Sequence, residues 1–202
     1  MIKYVLVVLL VGSLAGFLNN NWTRMIENVW ISDYVFNGAL MLLLFVMGVA
    51  FSMDKEAIAK MRRIGLRILI VPLAIGLGSI LGGLVGGLIL RINVVGAMSV
   101  SAGFGWYTLS GPLVGQLLGA EWGALGFVVN FLRELLTITT VSITSKAGKH
   151  IPVAFGGATT MDTTLPVIVR YSGSEALITA FSSGFALSIM APFTIIALAS
   201  LG

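Results

Sequence analysis

Seven apolar runs alternate with short polar connections along the chain of 202 residues. They lie at 3–18, 35–52, 68–90, 94–118, 122–143, 151–169 and 176–200. A helix needs about 20 mostly apolar residues to cross a bilayer, so most of these runs are long enough to span one. The first run is short and spans only if its polar ends reach the interface. The pattern predicts an all-α polytopic membrane protein, with one transmembrane transporter domain over residues 1–202.

Two of these runs differ from ordinary spans, because glycine and hydroxyl side chains fill their middles. The first such segment is 99–112 and the second is 155–166, and each closes on a proline. Glycine and proline weaken helices, and non-helical backbone at membrane depth survives only within protein or beside a water-filled cavity. A pair of interrupted segments is also the strongest sequence indication of a transporter's binding site. We therefore expect two broken helices close to a solute site.

Basic residues indicate the topology. The connection at 54–67 holds five of the twelve lysines and arginines, which predicts a cytoplasmic loop. If both broken segments re-enter, the cytoplasmic side also holds Lys146, Lys149, His150 and Arg170. If both segments cross the membrane instead, Lys146, Lys149 and His150 face outward. Charge therefore favours re-entry, with the amino terminus inside and the carboxyl terminus outside. About five full spans then remain, at 3–18, 35–52, 68–90, 122–143 and 176–200.

Composition supports lipid as the solvent of this protein. Hydrophobic residues make up 57% of the chain and charged residues 10%, whereas a soluble domain carries about 25% charged residues. Cysteine is absent and His150 is the sole histidine, which excludes disulfides, thiol catalysis and cysteine or histidine-cluster metal sites. We expect no cofactor and no metal. The net charge of +4 lies mainly beside apolar runs, where it orients a membrane protein, so we expect no nucleic-acid partner.

Glycines in the third run repeat at every fourth position, at Gly78, Gly82 and Gly86, with Gly83 and Gly87 alongside. This spacing places them on one helical face, as in close contacts of the GxxxG type. We expect this face to pack against another helix and to hold the fold together.

Glu134 is the leading candidate for chemistry, because an ionisable group near the middle of a span is costly and marks a functional site. Asn130 and Thr137 share its helical face. Such a carboxyl group could exchange a proton for a cationic solute. Arg133 lies about 100° around the helix, so an Arg133–Glu134 pair does not follow. Arg133 either anchors the helix through carbonyls or a carboxylate, or takes part in function.

Asp162 is the second candidate, at the centre of the second broken segment. It suits a cap of a half-helix as well as a ligand for a cation or a substrate ammonium group. Trp106 and Tyr107 either wall a site, in part by cation–π contact, or serve packing alone. Further substrate-binding candidates carry hydroxyl groups: Ser101, Thr108, Ser110, Thr159, Thr160 and Thr163. The remaining acids suit solvated or capping roles: Glu27, Asp33, Asp54, Glu56, Glu121 and Glu175.

The paired segments suggest how one site could hold a zwitterion. The amino ends of half-helices attract a carboxylate, while unwound carbonyls and acidic side chains hold an ammonium group.

Three stretches, 101–111, 133–135 and 156–166, resemble the bacterial L-lysine exporter family of the LysO type. They occur in the family's order and at similar spacing, and the similarity covers essentially the whole chain. The resemblance implies an inner-membrane exporter of L-lysine and its analogues that is driven by proton exchange. Glu134 matches an intramembrane acid that is critical in the family.

Full-length members of that family carry an additional amino-terminal membrane region, so this chain resembles their carboxyl-terminal two-thirds. The family is thought to use a second intramembrane acid from the additional region. The resemblance therefore implies the larger half of a split exporter, completed by a small membrane partner subunit or by a homodimer.

Other functions remain open from the residues alone. The same fold suits a transporter of another amino acid or an organic cation, or a membrane assembly subunit that transports nothing. An intramembrane aspartyl hydrolase needs two carboxylates sharing a proton, and the Gly-x-Gly-Asp arrangement typical of that class is absent, since Asp162 follows Met161. We therefore expect that the protein is not an enzyme.

Overall fold

The computed structural model describes residues 2–18, residues 69–202 and six single positions between them, at 34, 38, 42, 45, 49 and 53. The chain divides into two compact units, 1–53 and 54–202, which are considered separately. The basic connection at 54–67 and most of the predicted span at 35–52 lie outside the described residues, as do Glu27, Asp33, Asp54 and Glu56.

The described part of the first unit contains helix α1, Ile2–Leu18, at the first apolar run. Its residues are almost all apolar, and side chains such as Val7, Leu14 and Phe17 are exposed. An exposed apolar helix of 17 residues suits contact with lipid or with other helices rather than with water.

The second unit is helical throughout its described residues. Its elements are α2 (Ile70–Leu90), α3 (Val94–Ser101), α4 (Tyr107–Leu118), α5 (Ala120–Ala147), α6 (Ile151–Gly156), a 3₁₀ helix (Gly157–Met161), α7 (Leu165–Ser172) and α8 (Ala176–Ala199). Three helices of the described part, α2, α5 and α8, are long and apolar enough to cross a membrane. The predicted all-α membrane fold is confirmed.

The first broken segment turns at 102–106, between α3 and α4. Phe104 and Gly105 adopt positive φ angles of 52° and 99°, in the left-handed region that a helix interior does not use. The break thus precedes Pro112, which lies inside α4. Two residues in left-handed conformation, rather than the proline, end the helical run.

Contacts with α5 show that the chain reverses at this turn. Along α3, Gly96 lies against Trp122, and Val100 is reached by Asn130 farther along α5. Along α4 the order is opposite, since Gly115 packs on Gly123 near the beginning of α5. Residues 94–118, called hairpin 1 below, therefore enter and leave at the amino-terminal end of α5.

The second broken segment reverses in the same way from the other end. Its elements α6, the 3₁₀ helix and α7, residues 151–172, are called hairpin 2. Gly157, with φ 63°, follows the end of α6, and Arg133 near the middle of α5 bonds the Phe155 carbonyl there. Lys149 and Glu175, which flank the hairpin, pair at 2.7 Å. Hairpin 2 therefore enters and leaves at the carboxyl-terminal end of α5.

The tips of the two hairpins meet. The Ala158 N–H donates a hydrogen bond of 2.8 Å to the Phe104 carbonyl oxygen. A Cβ on Gly105 would lie 2.9 Å from the Gly156 carbonyl oxygen, so only glycine permits this approach. Both broken segments thus fold back on themselves, as the re-entrant alternative requires.

Helix α8 runs past both hairpins and supplies much of the core. The Thr160 hydroxyl donates to the Ala180 carbonyl at 2.7 Å, and Gly184 lies against Met161. Beyond its far end, Gly202 lies beside Val95 at the beginning of hairpin 1. Helix α8 therefore connects the open end of hairpin 2 with the open end of hairpin 1.

The glycines predicted to line a packing face of α2 divide into two groups in the described part of the unit. A Cβ on Gly78, Gly82 or Gly86 would meet nothing within 4 Å, whereas one on Gly83 would lie 2.7 Å from the Ala97 carbonyl oxygen. Gly87 packs on α3 in the same way. Adjacent glycine pairs create two neighbouring stripes with the same spacing, and spacing alone cannot select the stripe that packs.

Candidate functional site

The Glu134 carboxyl lies inside the second unit, near the middle of α5, with 3% of its surface exposed. It interacts with the side chains of Thr163 and Tyr107 and electrostatically with Asp162. Oε2 of Glu134 has no hydrogen-bond partner of good geometry among the described residues. Burial without a partner is costly for a carboxylate, so this oxygen is available to a ligand.

These side chains come from both hairpin tips. Tyr107 begins α4, and Asp162 and Thr163 lie just before α7, which begins at Leu165. The amino-terminal end of a helix carries a partial positive charge. The acidic cluster of Glu134 and Asp162 therefore lies beside the beginnings of two returning half-helices.

The Tyr107 ring is fixed by aromatic packing on α5. Its ring centre lies 5.4 Å from that of Phe127 and 5.5 Å from that of Phe131, edge to face in both cases. The two phenylalanines stack on each other at 5.9 Å. This clamp directs the hydroxyl-bearing end of Tyr107 towards Glu134, with which it interacts.

Asp162 is exposed in the isolated chain, and its Oδ1 accepts a hydrogen bond from the Thr163 N–H. The N-cap position of α7 is occupied by Thr164. Asp162 is therefore not the N-cap residue of α7.

Asn130 holds the tip of hairpin 1. With 1% of its surface exposed, its amide donates to the Val100 and Gly126 carbonyls at 2.9 and 2.8 Å. It also donates to the Ser110 hydroxyl at 3.0 Å, and its oxygen accepts from the Gly105 N–H at 2.7 Å. The polar face predicted for α5 therefore ties a hairpin tip to the helix at this position.

Arg133 holds hairpin 2 in an analogous way. Its Nε and Nη2 donate to the carbonyls of Phe155 and Ala154 at 2.8 and 2.9 Å. Its Nη1 donates to the Ser79 hydroxyl of α2 at 2.9 Å. Among the described residues no carboxylate pairs with Arg133. Of the alternatives left open by the sequence, the carbonyl anchor is the one present.

The other hydroxyl candidates differ in their surroundings. Thr159 and Thr160 are buried and bond the carbonyls of Gly156 and Gly157 at 2.9 and 2.7 Å, so they stabilise the turn of hairpin 2. The Thr137 hydroxyl bonds back to its own helix. Three further candidates are not part of the acidic cluster in the described contacts: Ser101 lies against Gly83, Trp106 is half-buried and Thr108 is exposed.

Sequence reasoning missed Ser79 and Phe104. Ser79 is a lone hydroxyl within the apolar α2, and that isolation is a signal that could have identified it as the partner of a buried cation. Phe104 contributes through its backbone carbonyl and its left-handed conformation, which its side-chain type does not signal.

Comparison with known proteins identifies the family. The sequence model described as "Lysine exporter LysO" matches residues 6–199. The protein named "Lysine exporter LysO" of Escherichia coli (strain K12) is 33% identical over 156 residues, which are 77% of this chain and 52% of that protein. A protein of Haemophilus influenzae named "Putative lysine exporter" is 28% identical over 120 residues, 59% of this chain and 62% of that protein. No solved structure matches.

The chain thus spans about half the length of the E. coli protein and somewhat more of the H. influenzae protein. The matched family is a family of transporters and not of enzymes, as the resemblance predicted. The resemblance drawn from the three stretches is confirmed as well. With its family match over nearly the whole length, the chain belongs to the lysine exporter family, LysO.

Proposed function

We propose that this chain forms the solute site and most of the pathway of an exporter for L-lysine or a similar cationic amino acid. The observation that carries the proposal is the buried, partly unpartnered Glu134 carboxyl beside Asp162, where the tips of two opposed hairpins meet. Intramembrane acids of this kind mark solute and ion pathways. The names of the two relatives give the solute class.

Both ends of a lysine molecule find complementary groups in this arrangement. A substrate ammonium group would bind Glu134 and Asp162. The substrate carboxylate would be attracted by the positive ends of the helix dipoles of α4 and α7. Tyr107, held by its two phenylalanine neighbours, would form one wall of the site. Thr163, whose side chain interacts with Glu134, would contribute a further polar contact.

Proton exchange follows from the proximity of two acids. Two carboxyl groups that share a site favour retaining one proton between them. A substrate ammonium group supplies the same positive charge, so binding of lysine would release that proton and dissociation would recover it. The proposed mechanism is therefore antiport of lysine against protons.

The two hairpins would provide access to the site from opposite sides. We place the carboxyl-terminal end of α5 in the cytoplasm of a multi-pass cell-membrane protein, since Lys146, Lys149, His150 and Arg170 lie at or near that end. Solute would then enter along hairpin 2 and leave along hairpin 1. The amino terminus would face the cytoplasm and the carboxyl terminus the outside.

A further membrane component completes the exporter in this proposal. That component would be a small partner subunit or a second copy of this chain. The exposed apolar surfaces of α1 and α2 are suited to such contacts within a membrane.

Export of labelled lysine from cells that lack their own lysine exporter tests the proposal. The chain is expressed alone and together with its candidate membrane partner, and Glu134→Gln is compared with Glu121→Gln, the same change at an exposed acid of α5. We expect export in at least one pairing, its loss in Glu134→Gln with assembly intact, and little change in Glu121→Gln.

Two results would contradict the proposal. Absence of lysine export from every pairing, with the protein folded in the membrane, would remove lysine as the solute. Proton-coupled export that persists in Glu134→Gln would remove Glu134 from the mechanism. If export requires the chain but is unaffected by substitution of Glu134 and Asp162, the chain is better described as an assembly subunit.

A further inference from the structure

The end of α6 creates a problem of unsatisfied backbone groups. The last carbonyls of a helix have no partner within it, and at membrane depth no water replaces that partner. Here the carbonyls of Ala154 and Phe155 accept hydrogen bonds from Arg133. The neighbouring carbonyls of Val153 and Gly156 accept from the Gly157 N–H and the Thr159 hydroxyl. One guanidinium group therefore satisfies two of these four groups.

The same guanidinium group lies where α2, α5 and both hairpin tips meet. Its third nitrogen bonds Ser79 of α2. A Cβ on Gly157 would lie 3.0 Å from Nη2, and one on Gly105 would lie 3.6 Å from the Arg133 Cδ. Both tips therefore pack directly on this side chain, and the glycines leave the space that it occupies.

We infer that Arg133 is a positioning residue, which fixes the separation between Glu134 and Asp162. Glu134 follows Arg133 directly on α5. Asp162 comes immediately after the 3₁₀ helix, and this helix begins where Arg133 holds the end of α6. A change in the hydrogen bonds between Arg133 and hairpin 2 therefore moves Asp162 relative to Glu134. The inference rests on the proposed function in treating these two acids as the solute site.

Arg133 acts through this geometry and does not bind the solute. Three of its five N–H groups, one on each nitrogen atom, already donate hydrogen bonds within the protein. A cation at this position also repels a substrate ammonium group. The planar fork of arginine serves two carbonyls and a hydroxyl at once, whereas the compact ammonium group of lysine cannot reach all three.

The first experiment measures how strongly Arg133 stabilises the end of α6. Amide hydrogen exchange is followed in the full chain in lipid nanodiscs for Arg133→Gln and Arg133→Lys. Arg170→Gln, at an exposed position of α7, is the matched loss of one positive charge. Loss of two charge-assisted hydrogen bonds is expected to accelerate exchange in peptide 154–161 about tenfold or more. Peptide 99–106, held by Asn130, should change much less, and Arg133→Lys should lie between the parent and Arg133→Gln.

The second experiment measures the position of the acids without requiring transport. A hydrophobic carbodiimide modifies protonated buried carboxyl groups, so its rate is followed against pH at Glu134. The groups that face Glu134 are Asp162 and Tyr107, with Arg133 adjacent on α5. If Arg133 holds Asp162 near Glu134, Arg133→Lys, which keeps the positive charge beside Glu134, should shift the midpoint of modification to lower pH by about one unit. Arg170→Gln should leave it unchanged.

Where lysine export is measurable, KM for lysine should rise about tenfold in Arg133→Gln, and Arg133→Lys should recover part of the loss. An unchanged rate of amide hydrogen exchange in peptide 154–161 would overturn the claim that Arg133 holds the end of α6 in place. Faster exchange with an unchanged carbodiimide profile would overturn the positioning role. If Arg133→Gln does not fold, the same comparisons with Arg133→Lys decide both points. Failure of the parent to export lysine would refute the proposed function and leave the first two measurements decisive for Arg133.

Discussion

Replacement of Asn130 by alanine tests how hairpin 1 is held. The substitution removes three hydrogen bonds between α5 and hairpin 1 and one bond within α5, to the Gly126 carbonyl. Val100 keeps a bond from the Gly103 N–H, and the Ser110 hydroxyl still donates to Gly126. The Gly105 N–H, in contrast, loses its partner at a position that is buried.

The magnitude follows from this difference. A buried group left without a partner costs about 1–3 kcal/mol, and a hydrogen bond whose groups keep other partners contributes about 0.5–1.5 kcal/mol. One orphaned N–H and the weakened contacts at the other acceptors together lower the free energy of unfolding by about 3–5 kcal/mol.

Reversible unfolding in mixed micelles measures this loss, and amide exchange at Gly105 reports its location. Thr139→Ala, on the same helix, is the matched control, because the Thr139 hydroxyl is exposed and bonds only its own helix. A loss below about 1 kcal/mol, or an unchanged exchange rate at Gly105, would refute the idea that Asn130 anchors the tip.

Two further predictions concern α2 and the base of hairpin 2. Gly83→Ala should lower the free energy of unfolding by about 1–3 kcal/mol, because the added Cβ would meet the Ala97 carbonyl. Gly82→Ala, the control, should be tolerated. Equal losses of unfolding free energy in the two variants would contradict the packing described. Lys149 donates a hydrogen bond to Glu175 and lowers the pKa of that carboxyl group below its usual value. The small stabilisation from this pair should be present above the ordinary carboxyl pKa and lost as pH falls through the lowered pKa of Glu175. The Tm difference between the parent and Glu175→Gln should therefore vanish in acid. A Tm difference that does not depend on pH would contradict the ion pair's contribution.

Much of the architecture could be predicted because its causes are local. Glycine and hydroxyl residues clustered within an apolar run indicate a broken helix wherever the run packs, and both breaks fall within the predicted segments. Glu134 stands out for an equally local reason, since a carboxyl group is costly at the middle of a span. Its burial beside Asp162 agrees with the prediction of a site, although the role of the site remains a proposal.

The features that could not be predicted depend on which surfaces meet. Gly82 and Gly83 lie side by side with the same repeat, and only the position of α3 selects Gly83 for packing. The partners of Arg133 are backbone carbonyls, which every residue carries, so no residue type signals them. The contact between Phe104 and Ala158 is likewise made by backbone atoms and depends on two turns that are distant in sequence.

Meeting tips also have an electrical consequence. Where two hairpins enter from opposite ends, polar paths can approach the middle of the bilayer from both sides, and the membrane voltage then falls mainly across the narrow layer between the tips. A charge that crosses this layer experiences most of the potential, about 2.3 kcal/mol for each 100 mV. In an exporter of this design, the step that carries lysine outward and the step that returns a proton would each respond to voltage, while a one-for-one exchange of the two would not. The layer of protein around the contact between Phe104 and Ala158 would thus be the place where most of the membrane voltage falls.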